Sequence, residues 1–161
     1  MDTTGRRGKV VRTFDADLVS SLINHPTILP WVSFPGQSEI DLTDHVMDDR
    51  NYALKADAGV FFLHCIAPGI YEAHSLFLPE GRGHAAKQAA IAGMAYMFGD
   101  TDCEEILARC PKGNLAVLVF TRSLKFEFLS NEPEAWPTAA GLVDQKWFRM
   151  TRDRWSSLYG E

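Results

Sequence analysis

Ile70-Tyr71-Glu72-Ala73-His74-Ser75-Leu76-Phe77-Leu78 leads into the turn Pro79-Glu80-Gly81-Arg82-Gly83 and then into an alanine-rich run from His84 to Phe98. The first stretch is β-like. The last carries Ile91, Met94, Ala95 and Phe98 at i, i+3, i+4 and i+7, the period of a helix with one apolar face, and this stripe is expected to pack on a sheet. A strand, a glycine turn and a helix N-terminus together make a seat for an anion. The first N–H groups of a helix have no internal acceptor, and they sit at the positive end of its dipole. An anionic cofactor is therefore the leading expectation.

Working outward, Tyr52 to Lys55, Gly59 to Ile66 and Ile70 to Leu78 are separated only by turn-sized gaps, so these strands are expected to pair antiparallel. Further upstream, Lys9 to Phe14 predicts a short strand. Asp15 is placed to cap a helix over Leu18, Val19, Leu22 and Ile23. Thr27 to Gln37 is an aromatic-rich loop, suited to lining a cleft or to covering the core edge, and Asp41 to Asp49 reads as a short helix. Downstream come a strand from Glu104 to Cys110, a helix from Leu115 to about Leu124 opened by Pro111-Lys112-Gly113-Asn114, a strand over Phe126 to Leu129, and a β-rich end around Val143 to Met150 that runs on to Trp155.

At 161 residues the chain fits one domain, 1–161, long enough to bury roughly 70% of its unfolded surface. The net charge of −5 argues against nucleic acid as a partner. The basic start, Met1 to Lys9, lacks an apolar segment behind it and no apolar run approaches membrane length, so a cytoplasmic protein without a membrane partner is expected. Cys65, Cys103 and Cys110 show no disulfide spacing, and with His64 and His74 they show no metal-ligand spacing either, so no metal is expected. No serine-nucleophile motif G-x-S-x-G occurs.

Gly81-Arg82-Gly83-His84-Ala85-Ala86 matches the dinucleotide fingerprint G-x-G-x-x-G/A. Its context is wrong for that role. The fingerprint follows a buried parallel strand, whereas Glu72 and His74 interrupt this one, and three strands with short turns precede it. Element order over essentially the whole chain instead resembles the GNAT acetyltransferase superfamily, whose pyrophosphate motif is Q/R-x-x-G-x-G/A. Arg82 takes the first place of that motif, Ala85 stands for its first Gly, and Lys87 replaces its last Gly or Ala. Pro111, Asn114 and Phe126 match further family positions; Lys125 replaces a Gly, and Thr121 stands where many members carry the Tyr that protonates the departing thiolate. The blocks Tyr71-Glu72-Ala73-His74, Leu78 to Gly83, Met97 to Asp102 and Pro111-x-x-Asn114 look like a divergent GNAT-like branch often encoded by phages or prophages.

The resemblance implies an α/β (α+β) fold, with a mixed, mostly antiparallel sheet of about six to seven strands flanked by about four helices. It implies acetyl-CoA as co-substrate, bound by Leu76, Phe77, Leu78, Arg82, Gly83, His84, Ala85, Ala86, Lys87 and Asn114. It also implies acetyl transfer to an amine, on a small molecule or a protein, by direct attack. Such attack needs a base, and Glu72 and His74 share a strand face as candidates. Structural roles stay open beside these: an ion pair for Glu72, a packed ring for His74, solvent-facing positions for His84 and Lys87. His64 is a weaker candidate base, and Thr121, Ser123 or Tyr96 are candidate substitutes for the absent acid. The alternative is an inactive GNAT-like interaction or phage assembly protein, with a phage or host partner. A homodimer sharing the C-terminal stretch is a further expectation.

Overall fold

In the computed structural model, which describes residues 9–160, seven strands form one sheet; the basic start, residues 1–8, lies outside them. The elements are β1 (Val11–Thr13), α1 (Ala16–Ile23), α2 (Leu29–Val32), α3 (Thr43–Met47), β2 (Tyr52–Ala56), β3 (Gly59–Ala67), β4 (Ile70–Phe77), α4 (His84–Asp100), β5 (Glu105–Pro111), α5 (Leu115–Ser123), β6 (Glu127–Thr138), β7 (Gly141–Thr151) and α6 (Arg152–Tyr159). The sheet runs β1-β2-β3-β4-β5-β7-β6, and every pair is antiparallel except β4 with β5, which the α4 crossover joins. The expected mixed, mostly antiparallel architecture is present. Four helices are eight residues or longer, and α2 and α3 add two short ones.

Alternation along the strands gives the sheet two apolar faces. Val60, Phe62 and Leu76 pack with Val19, Leu22 and Ile28 beneath α1 to α3, while Leu54, Phe61, Tyr71 and Ile106 pack with α4. Local signals set the helix starts: Asp15 Oδ1 accepts from Leu18 N at 3.0 Å, and Asn114 Oδ1 from Val117 N at 3.3 Å. No helix among the described residues is long and apolar enough to cross a membrane.

Three local expectations are corrected. The buried face of α4 is Ala86, Ala89, Ala90, Gly93, Met94, Met97 and Phe98, so Ile91 and Ala95 lie at its flank rather than its centre. In so alanine-rich a helix the small residues pack closest and blur the apolar period. The strand β6 runs to Thr138, well beyond Leu129; as an exposed edge strand with Pro133 and Pro137 it lacks the alternation that marks a buried one. The β-rich end stops at Thr151, whose hydroxyl accepts from Arg154 N at 3.2 Å and starts α6, and Trp155 lies on that helix against Phe98.

Candidate active site

The central feature is a parting of strands. β4 pairs with β5 only at Ile70↔Glu105, Tyr71↔Ile106 and Glu72↔Leu107, yet each keeps its outer neighbour: β4 stays with β3 to Phe77 and β5 with β7 to Pro111. Beyond Glu72 and Leu107 the sheet therefore opens as a V. The alternate N–H and C=O groups that β4 would have offered β5 are left facing the gap. The closed end is clamped: Tyr71 Oη donates to Asp102 at 2.6 Å, and Arg152 reaches Cys103 O at 2.7 Å and also the Phe98 carbonyl.

A cleft of about 720 Å³ runs through the V. On the α4 and α5 face its walls include Arg82, Gly83, His84, Ala86, Lys87 and Asn114. The first helical bond of α4 is Lys87 N to Gly83 O at 3.0 Å, so the N–H groups of His84, Ala85 and Ala86 have no intrahelical acceptor. Gly83 has φ +92°, which a side chain adopts only under strain, and a Cβ there would meet nothing within 4 Å. Arg82 Nε donates to Phe77 O at 3.1 Å, tying the turn to the end of β4. This face is cationic, with free helix N–H groups and open space above them. A phosphate-bearing ligand fits it.

On the opposite face the cleft is lined by Ile28, Trp31, Val32, Glu72, His74, Arg109 and Trp136. Glu72, 7% exposed, accepts from Arg109 Nη2 at 2.6 Å, and His74 Nε2 lies 3.8 Å from the same oxygen. The Arg109 guanidinium is held between Trp136 and Trp147, at 4.9 and 5.3 Å from the ring centroids. Burial holds the His74 imidazole below its ordinary range; the Glu72 carboxylate opposes that shift, while Arg109 and His64 reinforce it. The ring is thus a neutral base whose remaining open surface borders the cleft.

Most of the sequence-derived site residues meet at this cleft: Glu72, His74, Leu76, Phe77, Arg82, Gly83, His84, Ala86, Lys87 and Asn114. Leu78 instead packs toward α1, and Ala85 is exposed outside the cleft wall. Asn114 spends its Oδ1 on capping α5. His64 packs edge-on against His45, 5.7 Å between centroids, away from the cleft. Of the three substitutes for the acid, Thr121 is buried beside the Cys110 thiol and Tyr96 packs on Tyr52, whereas Ser123 reaches the cleft wall. Sequence reasoning missed Arg109 and Trp136. Arg109 carries a local signal, a lone cation on an apolar strand, but its partner Glu72 is 37 residues away. Among the described residues no group of three His, Cys, Asp or Glu is placed to hold a metal ion.

The fold recurs in solved structures. The chain has the GNAT acetyltransferase fold. A spermidine N-acetyltransferase from Vibrio cholerae, in complex with CoA and spermine, superposes with a TM-score of 0.76 at 15% identity, over 94% of this chain and 99% of that one. A GNAT-family acetyltransferase from Bacillus anthracis gives 0.70 at 16% identity, over 92% and 98%. A probable GNAT-family acetyltransferase from Chromobacterium violaceum gives 0.68 at 18%, over 97% and 95%. No protein-family model and no curated protein matches the sequence. The GNAT fold is therefore carried here by a sequence far from these structures.

Proposed function

We propose that the protein transfers an acetyl group from acetyl-CoA to an amine by direct attack within a ternary complex. One observation carries the reading: the V between β4 and β5 joins a cationic, phosphate-fitting face to a face holding a neutral imidazole. The thioester of acetyl-CoA supplies the activated acyl group. Arg82, His84, Lys87 and the first N–H groups of α4 would hold its phosphates. The β4 backbone, freed from β5 beyond Glu72, offers N–H donors where negative charge gathers on the carbonyl oxygen. His74 takes the amine proton, directly or through water, and the Glu72 carboxylate beside it stabilises the resulting imidazolium. Arg109 positions Glu72 and occupies the oxygen nearest His74, which favours the histidine for proton uptake.

The test is calorimetric titration with acetyl-CoA, followed by an amine screen. Micromolar binding and amine-dependent release of CoA are expected. No heat and no thermal shift at millimolar acetyl-CoA would refute the reading. A second reading, an interaction or assembly protein that keeps the fold without the reaction, draws support from buried Thr121. It calls for a phage or host partner whose capture survives Arg82→Glu.

A further inference from the structure

We propose, on the basis of the transferase reading above, that the acceptor is a monoamine carried on an apolar, ring-sized group, and that polyamines are rejected. Charge is the first argument. Among the described residues lining the cleft, Glu72 is the one carboxylate, and Arg109 already pairs with it at 2.6 Å. With His74 neutral, the acceptor face sums to zero charge, and the opposite face adds Arg82 and Lys87. A polyamine that presents one amine to His74 brings at least one more ammonium into this space. That ammonium finds no free carboxylate, and it faces the Arg109 guanidinium across apolar walls.

Shape is the second argument. Trp136 is covered by Arg109 and by Phe34, whose ring stacks on it at 5.9 Å, so it forms a fixed part of the wall. Trp31 is different: it is 42% exposed and still lines the cleft. Its Cη2 would lie 3.9 Å from a Cβ at Gly113, so the indole spans from α2 to the turn before α5. The indole therefore lines the cleft between α2 and this turn and offers exposed ring surface to a ligand. Ile28 and Val32 anchor α2 against the core cluster that contains Leu76, so the helix carrying the indole is fixed on the cleft that His74 also lines. A ring placed on Trp31 buries apolar area on both partners and gains offset or edge contacts.

The experiment follows CoA release at saturating acetyl-CoA with 2-phenylethylamine, hexylamine, putrescine and spermidine, in wild type and Trp31→Ala. The expected result is a kcat/KM for 2-phenylethylamine at least about tenfold above that for spermidine. Trp31→Ala is expected to raise KM for the aromatic amine about tenfold, with a smaller effect on kcat and an unchanged acetyl-CoA affinity. Preference for spermidine, equal use of hexylamine and 2-phenylethylamine, or an unchanged KM in Trp31→Ala would overturn the proposal while leaving acyl transfer standing. Acetyl-CoA that binds with no amine consumed would overturn it too, and failure to bind acetyl-CoA would remove the transferase reading itself.

Discussion

Replacing Arg109 with methionine keeps most of the side-chain volume and removes the charge that faces Glu72. Glu72 is 7% exposed and its contact with Arg109 Nη2 is 2.6 Å, so the variant strands a carboxylate inside the protein. Breaking a fully buried pair in this way costs about 3–5 kcal/mol. The Arg109 side chain is 28% exposed, so water partly reaches the site and lowers that cost to about 2–3 kcal/mol. Loss of the guanidinium from between Trp136 and Trp147 adds about 0.5–1 kcal/mol, which methionine packing partly returns. The expected destabilisation is about 3 kcal/mol, or a fall in Tm of about 6–12 °C for a chain of this size. Urea unfolding of Arg109→Met, Glu72→Gln and the double variant would measure it. The double variant is expected to recover about 2 kcal/mol relative to Arg109→Met, because no charge is then stranded. A loss below about 1 kcal/mol in Arg109→Met, or a double variant no more stable than it, would refute the reasoning.

The other expected outcomes concern the site and the thiols. His74→Gln should lower kcat about 10²–10⁴-fold with little change in acetyl-CoA affinity by calorimetry. Burial holds His74 below the ordinary histidine value of 6.5, so kcat at saturating amine should fall only as pH drops below that value. Glu72→Gln removes the group that raises the imidazole and should move this acid limb lower still, as a pH profile would record. The same depressed titration contributes stability that is complete above pH 6.5 and is lost as pH falls below it, because the unfolded imidazole takes the proton first. Arg82→Glu should weaken acetyl-CoA at least about tenfold, since it reverses a charge beside the α4 N-terminus; an unchanged Kd would place the phosphates elsewhere. Burial pushes the thiols of Cys103, to about 12, and Cys110 up, so iodoacetamide at pH 8 should label at most Cys65 in the native protein and all three thiols in urea, as mass spectrometry would count.

Much of this protein is written locally. Asp15 and Asn114 announce their helices by capping chemistry that operates within three residues, and the short turns between β2, β3 and β4 leave antiparallel pairing as the economical choice. Glu72 and His74 share a face because side chains alternate along any strand, and the glycine turn before α4 exposes helix N–H groups wherever it folds. The run of the edge strand β6 beyond Leu129 escaped notice because it buries little and so carries no alternation.

What the chain order leaves undetermined is long-range. The parting of β4 from β5 depends on each strand's fidelity to its outer neighbour, β3 and β7, and on the clamps at Asp102 and Arg152. No local propensity encodes such a competition between pairings. The Glu72–Arg109 pair and the placement of Trp31 and Trp136 on one cleft arise likewise from residues far apart in sequence. The sequence alone determined most of the elements, the glycine turn that opens α4 and the shared strand face of Glu72 and His74, because these rest on backbone geometry within a few residues. Only the tertiary structure decided that Glu72 is occupied, that burial lowers the His74 titration and that the cleft carries no spare carboxylate among the described residues, because burial and ion pairing are properties of neighbours that the fold brings together.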